Sequence, residues 1–365
     1  MSTIHVTVER IDSLEPHPNA DRLEIAKLLG TQTMVPKGEF VVGDRVVFFP
    51  PDICLPPDVS LTLGVQKYLK HALYQDEKVQ CRVAAARLRG IPSYGFIIKA
   101  PDLLRNHDLG AAVDEMWAAF KYEPPLRPSL QGDVEADPPN FPRYTDIQHY
   151  YRNTHAFPPG LQVRVTEKIH GTNCRFGLVK KGELHEYMGG SHKHARKECD
   201  SNGRRSVYWE PLNVPGVEAL LKYLAGNTPL YVNDVILFGE LFGPGVQDMT
   251  YGIPQGKIGF RVFDIVVNGR YLDWAEIHTL CVNYSVQTVP LLYIGPFDPT
   301  LVQEWTNGPT LVVDADKNKS KFKGREGCVI TACKEDYDDI LGRVIAKSVS
   351  ADYLDRKGAQ DNADL

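Results

Sequence analysis

Thr166-Glu167-Lys168-Ile169-His170-Gly171-Thr172-Asn173 sets a lysine between an apolar run and a glycine turn. The residues leading into it, Leu161-Gln162-Val163-Arg164-Val165-Thr166, alternate apolar and polar as a half-buried strand does. Gly171 lets the backbone turn sharply against a ligand. Lys168 is therefore expected at a strand-to-turn junction. A lysine can attack a centre such as the α-phosphate of a nucleoside triphosphate only as the free amine, a state that neighbouring positive charge or desolvation favours. Lys-x-His-Gly alone recurs by chance, so the residues downstream decide the reading.

Length and composition set the frame. A chain of 365 residues suits two domains, and its hydrophobic share of 43% and charged share of 24% are those of an ordinary soluble protein. No apolar run reaches the roughly 20 residues needed to cross a bilayer, and Met1-Ser2-Thr3-Ile4-His5 has neither the basic nor the apolar region of a signal peptide. An intracellular, soluble protein, cytoplasmic or nuclear, is expected. Seven cysteines without a Cys-x-x-Cys pair fit reduced thiols better than a disulfide frame or a structural zinc site. A net charge of −5 excludes indiscriminate polyanion binding, so contact with nucleic acid has to come from local patches.

Three segments follow from the pattern of turns and prolines. Residues 1–120 carry short strand-like runs such as Arg45-Val46-Val47-Phe48-Phe49 and Gly95-Phe96-Ile97-Ile98 between Gly, Pro and Asp turns, and read as a small β-barrel. Residues 121–143 hold Pro124, Pro125, Pro128, Pro138, Pro139 and Pro142 with little apolar periodicity, the composition of an extended linker. Residues 144–365 mix strands (Val235 to Phe238, Gly259 to Val267, Gly327 to Thr331, Arg343 to Lys347) with helical stretches (Val217 to Leu224, Tyr337 to Leu341), which makes the class α+β.

Within that last segment, Phe238-Gly239-Glu240-Leu241 delivers one carboxylate from an apolar strand, and a buried acid needs a partner. Phe263 lies within the strand-like run Gly259 to Val267 and can stack on a purine, a contact worth about 1–3 kcal/mol. Glu326, opening the strand Gly327-Cys328-Val329-Ile330, suits the hydration shell of Mg²⁺. Side chains alternate along a strand, so Arg343, Ile345 and Lys347 share a face, and Lys347 can neutralise an α-phosphate. Lys193, Arg196, Arg204 and Arg205 form a basic cluster fit for an RNA end or a phosphate, against the plain alternative of a solvated loop. Lys317, Lys319, Lys321, Lys323 and Arg325 recur at every second residue, the pattern of a basic track or of a solvated basic loop. Gly252-Ile253-Pro254-Gln255-Gly256-Lys257-Ile258 imitates a phosphate loop but has wrong spacing, an internal proline and no Ser or Thr after the lysine. A hairpin loop is expected there.

The ordered set Lys168-x-His170-Gly171, Phe238-Gly239-Glu240, Phe263-Asp264, Glu326-Gly327 and Lys347 resembles motifs I, III, IIIa, IV and V of the covalent nucleotidyltransferases, the polynucleotide ligases and capping enzymes. Glu167-Lys168-Ile169-His170-Gly171-Thr172-Asn173 looks like the RNA ligases in particular, where histidine can stand for the aspartate of Lys-x-Asp-Gly. Only 17 residues follow Ser348, too few for a trailing OB domain, and an accessory unit that comes first is similar to the RNA ligases of the Naegleria and Deinococcus type.

The resemblance implies an N-terminal OB-fold barrel before an ATP-grasp-like nucleotidyltransferase domain, and an ATP-dependent RNA ligase joining RNA 3′-OH and 5′-phosphate ends through a lysyl-AMP, in RNA repair. Lys168, Lys347 and Glu326 are then catalytic. Glu167, Ile169, His170, Asn173, Glu240, Phe263 and Lys347 bind the nucleotide, and Glu326 meets Mg²⁺ or Mn²⁺ through water. RNA ends are the implied partners, with no membrane and no obligatory protein partner. Two positions depart from the family pattern: Ile345 stands where motif V usually has a first lysine, so that either Arg343 substitutes as a phosphate or RNA-end contact or one lysine holds the phosphate alone, and His170 stands for an aspartate. Two other readings remain open. Leu14-Glu15-Pro16-His17-Pro18-Asn19-Ala20-Asp21-Arg22-Leu23 is similar to the opening of tRNA-binding OB modules, which suggests a non-catalytic RNA-binding protein, and a capping-type enzyme would take GTP.

Overall fold

The structure is a computed structural model that describes residues 4–75, 77–122, 133–226, 233–313 and 322–354. The chain divides into two compact units, one formed chiefly by residues 2–124 and one chiefly by residues 125–147 and 153–353. Among the described residues no helix is long and apolar enough to cross a membrane.

The first unit is built of short antiparallel strands. β1 (Thr7–Arg10) leads to β2 (Ser13–Pro16), β3 (Leu23–Leu28), β4 (Thr31–Pro36), β5 (Arg45–Phe49) and, later in the chain, β6 (Phe96–Lys99). β5 pairs with β1 on one side and β6 on the other, while β3 pairs with β2 and β4. The unbroken apolar run of β5 has a simple cause: Val46 and Phe48 enter one core, Val47 and Phe49 another. Gly95, just before β6, has φ +74°, and a Cβ there would lie 2.2 Å from the Phe49 carbonyl oxygen, so only glycine brings β6 alongside β5.

The second unit contains two antiparallel sheets. Its main strands are β7 (Gln162–Lys168), β8 (Thr172–Lys181), β9 (Leu184–Ser191), β10 (Val235–Phe242), β11 (Gly259–Val267), β12 (Leu291–Pro296), β13 (Gly327–Ala332) and β14 (Ile345–Val349). One sheet runs β9-β8-β10-β11 and the other β14-β13-β7-β12. Helices α1 (Val217–Ala225) and α2 (Trp274–Asn283) cover the outer face of the first sheet, where Phe176, Leu237 and Ile265 pack with Leu220, Leu221 and Ile277. Its inner face, with Ile236, Phe238 and Val266, meets Val329 and Ile345 of the second sheet around Phe141 and Tyr144. β10 is apolar but for Glu240 because it is buried on both faces.

Two local expectations need correction. Tyr337 to Leu341 is not helical: Tyr337–Asp338 pairs with Gly342–Arg343 in a tight hairpin. The Asp338 carboxylate accepts the N–H groups of Ile340 at 2.9 Å and Leu341 at 2.7 Å, and Gly342 takes φ +80°. An aspartate that caps its own turn diverts the backbone from a helix. Arg343 to Lys347 is likewise not one strand, since Arg343 ends the hairpin and β14 begins at Ile345. Residues 123–132 of the expected linker lie outside the described residues. Its later part is built into the second unit, where Val134–Glu135 pairs with Ala195–Arg196 and Asp137 accepts Arg175 Nη2 at 2.7 Å.

One charged knot fixes the two sheets on each other. Asp264 of β11 is fully buried and accepts Arg164 of β7 at 2.5 Å, Arg343 at 2.7 Å and the Tyr144 hydroxyl. Arg164 also donates to the Phe263 carbonyl at 2.9 Å, and Arg343 pairs with Glu335 at 2.7 Å. Burial by itself would push the Asp264 carboxyl up, but the two guanidinium groups outweigh it and hold it below the usual carboxylate range. Burial and the same carboxylate push the Tyr144 phenol well above its ordinary value, so it remains a donor.

Asp264→Asn strands two buried cations, and a loss of about 3 kcal/mol in denaturant-measured stability is expected; a change below about 1 kcal/mol would show that the knot does not hold the sheets. Because folding lowers the Asp264 pKa, its contribution is present above the unfolded-state value of about 3.9 and disappears as pH falls below it toward the depressed value. The acid limb of a stability-versus-pH curve should accordingly flatten in Asp264→Asn.

Candidate active site

Lys168 is the last residue of β7, with its Cα opposite Gly327 of β13. Its ammonium group pairs with Glu326, the residue just before β13, and the two side chains are 20% and 1% exposed. The other Glu326 oxygen, Oε2, is buried without a hydrogen-bond partner. The turn from β7 to β8 is pressed against β10: a Cβ on Gly171 would lie 2.1 Å from the Leu241 carbonyl oxygen and 2.9 Å from Glu240 Cγ. Glycine is thus what lets the turn after Lys168 reach the half-buried Glu240.

His170 is buried in that turn. Its backbone N–H donates to the Tyr251 hydroxyl at 2.7 Å, Nε2 lies 2.5 Å from Asp248 Oδ1, and Nδ1 lies 2.8 Å from the Tyr353 hydroxyl. Glu167, on the opposite face of β7 from Lys168, points away from the nucleophile. Its carboxylate accepts the Thr310 hydroxyl at 2.5 Å and the Leu311 N–H at 2.7 Å. Burial pushes this carboxyl up, and the two hydrogen bonds only partly offset it. As a nucleotide contact, then, Glu167 has its backbone to offer rather than its carboxylate. Ile169 is buried, and Asn173 sits opposite Glu240 on paired strands with its side-chain oxygen buried and without a partner.

The second lysine arrives through register. Lys347 of β14 stands opposite Val329 of β13, which stands opposite Thr166 of β7, and paired residues of antiparallel strands point to one face. Thr166 and Lys168 are two apart, so Lys347 and Lys168 share that face, with Lys347 2% exposed. Phe263 lies at the edge of the inner core, its ring edge-on to Tyr144 with centroids 4.9 Å apart.

Arg343 is not brought to this cluster. The guanidinium is committed to Asp264 and Glu335 and lies 3.8 Å above the Tyr271 ring, so the position left by the missing lysine is not filled by it. Of the basic cluster, Arg196 is buried near the Tyr208 ring, Lys193 is half-buried, Arg205 pairs with Glu198 at 3.2 Å and Asn213 at 3.0 Å, and Arg204 is exposed. Lys317, Lys319 and Lys321 lie outside the described residues. Lys323 and Arg325 frame a return of the chain, with Lys323 O accepting Thr310 N–H at 3.2 Å and Arg325 N–H donating to Gly308 O at 2.9 Å.

Sequence reasoning missed Asp248, Tyr251, Tyr353 and Thr310, all in segments without periodicity. Among the described residues no group of three or more His, Cys, Asp or Glu side chains forms a metal cage. The unpartnered Glu326 Oε2 fits outer contact with a hydrated divalent ion instead. Two lysines on one sheet face, flanked by Glu240 and Glu326, form a site able to attack and to neutralise a phosphate.

A family model described as RNA ligase matches residues 161–349, more than half of the chain, and an OB-fold domain model matches residues 5–100. Among solved structures, Naegleria gruberi RNA ligase in a lysine-to-alanine mutant with ATP and Mn is similar, with a TM-score of 0.74 and 22% identity, covering 96% of this chain and 98% of that chain. The same ligase with PPi gives 0.74 and 22% over 97% and 98% of the two chains. A lysine-to-methionine mutant with AMP and Mn gives 0.73 and 23% over 96% and 98%. At such identity the likeness is one of fold. No curated protein matches the sequence. With an OB-fold domain ahead of its ligase domain, the chain belongs to the RNA ligase family.

Proposed function

We propose that this enzyme is an ATP-dependent ligase of RNA 3′-OH and 5′-phosphate ends, acting in RNA repair. The observation that carries the reading is the seat of Lys168, paired with Glu326 at the mouth of a turn that Glu240 packs against. The fold shared with a ligase solved with ATP and Mn supports ATP as the adenylyl donor.

Lys168 rests as an ammonium ion on Glu326, so the first event is loss of a proton by way of that carboxylate to water, which frees the amine. The amine nitrogen then bonds to the α-phosphorus of ATP, the bond from that phosphorus to the bridging oxygen breaks, and pyrophosphate leaves. An RNA 5′-phosphate oxygen next attacks the same phosphorus, the N–P bond breaks and Lys168 is regenerated. Finally the RNA 3′-OH attacks the 5′-phosphorus, loses its proton and displaces AMP.

Lys347 neutralises charge developing on the α-phosphate, and Glu240 holds the ribose hydroxyls. Phe263 stacks on the base, while the backbone of Glu167 and Ile169, with His170 and Asn173, completes the nucleotide pocket. Glu326 would hold Mg²⁺ or Mn²⁺ through water, and the ion would add to the neutralisation of the triphosphate. Lys193, Arg204 and Arg205 meet the RNA end, whereas Arg196 is buried away from it.

Incubation with α-labelled ATP and Mg²⁺ before denaturing electrophoresis should leave label on the wild-type chain and none on Lys168→Ala. Label from GTP instead, or label that survives in Lys168→Ala, sinks the reading. Gly171→Ala, which drives a methyl into the Leu241 carbonyl, should slow labelling by about 10²-fold. An initial rate near wild type would show that the close approach of this turn to Glu240 is dispensable.

A further inference from the structure

The connection from β10 to β11, residues 243–258, touches one residue of the nucleophile's turn twice. Tyr251 takes the His170 backbone N–H, and Asp248 takes the ring at Nε2. Tyr251 is buried and holds a left-handed backbone, φ +50°, a conformation that a tyrosine keeps only where its surroundings impose it. Its ring stands edge-on to Phe242 of β10, centroids 5.3 Å apart. Such a segment is shaped to grip residue 170.

The grip fixes the imidazole chemically as well as sterically. An ionised carboxylate only accepts, so the proton on the Asp248 side belongs to Nε2. Nδ1 is then left to accept the Tyr353 hydroxyl at 2.8 Å. That same Nδ1 stands 3.5 Å from Glu326 Oε2, the oxygen without a hydrogen-bond partner, while Glu326 Oε1 takes Lys168. A continuous line of contacts therefore runs Asp248, His170, Glu326, Lys168.

We propose that Asp248 is a positioning residue for nucleotidyl transfer, acting through His170 to keep Glu326 available to Lys168. The proposal rests on the ligase reading above and deepens it. Without Asp248, the buried Nε2–H has no acceptor on that side, and the tautomer carrying its proton on Nδ1 becomes the favoured one. An Nδ1–H would turn to Glu326 Oε2 and compete with Lys168 for the same carboxylate. Asp248, with a side chain 34% exposed, is thus the outer end of a device whose inner end is the nucleophile.

The test measures the rate of Lys168 labelling from α-labelled ATP over a range of ATP concentrations, on the full chain, with thermal unfolding alongside. Asp248→Ala should lower the maximal rate by about tenfold and leave half-saturating ATP within about twofold. Asp248→Asn, whose amide oxygen still accepts Nε2–H, should recover most of that rate, and the double variant Asp248→Ala with His170→Ala should be no slower than His170→Ala alone. A normally folded Asp248→Ala with a wild-type rate overturns the proposal, as do losses that multiply in the double variant or an asparagine that rescues nothing. Should Asp248→Ala fail to fold, the near-isosteric Asp248→Asn decides: combined with His170→Ala it must add no further loss, and an added loss rejects the coupling. Absence of label on the wild-type chain overturns the ligase reading itself, and this proposal with it.

Discussion

Everything in the ligase domain stands on the carboxylate of Asp264. Apolar contacts hold the two sheets together, but hydrophobic attraction has no direction and would tolerate sliding of one sheet over the other. Asp264 removes that freedom by taking, on its two oxygens, guanidinium groups from β7 and from the hairpin before β14, together with the Tyr144 hydroxyl. Desolvating such a set is expensive, and its net contribution to stability is smaller than its hydrogen bonds suggest. What it secures is register between three segments that are far apart in sequence.

On that register the chemistry is assembled. β7 carries Lys168, β13 is preceded by Glu326, and β14 carries Lys347, so the relative position of three strands in one sheet decides whether two cations and an acid face one phosphate. In the resting chain Glu326 lies on Lys168, which keeps a nearly buried ammonium group compensated until a substrate brings negative charge. The absence of a second lysine at position 345 is not made good by Arg343, whose charge is already committed to Asp264 and Glu335. In the proposed reaction Lys347 therefore acts without help from that side.

Strands were legible wherever both their faces or one of them met a core. The alternation before Lys168, and the unbroken apolar runs of β5 and β10, report burial directly. The hairpin at Tyr337 to Gly342 was misread because its composition allows a helical turn. The outcome depends on Asp338 reaching two backbone N–H groups, a local competition that periodicity does not record. The site divided in the same way. Lys168, Glu240, Glu326 and Lys347 announce themselves as polar residues in or beside apolar strands, whereas Asp248 and Tyr251, from an irregular connection, and Tyr353, from a four-residue helix, acquire meaning only through three-dimensional contact with His170. Arg343 has the sequence setting of a phosphate ligand and the structural setting of a rivet, a distinction made by Asp264 and Glu335 alone.

Glu167 has a last consequence, for how this chain can vary over evolutionary time. Its carboxylate has two donors, a side-chain hydroxyl at Thr310 and a backbone N–H at Leu311. Position 310 thereby calls for a side chain that can donate a hydrogen bond for as long as an acid stands at position 167. Position 311 is free in side chain and closed to proline, which has no N–H to give. Drift in the segment around residue 310 is thus tethered to the residue beside Lys168, although Glu167 and Thr310 stand 143 positions apart in the chain.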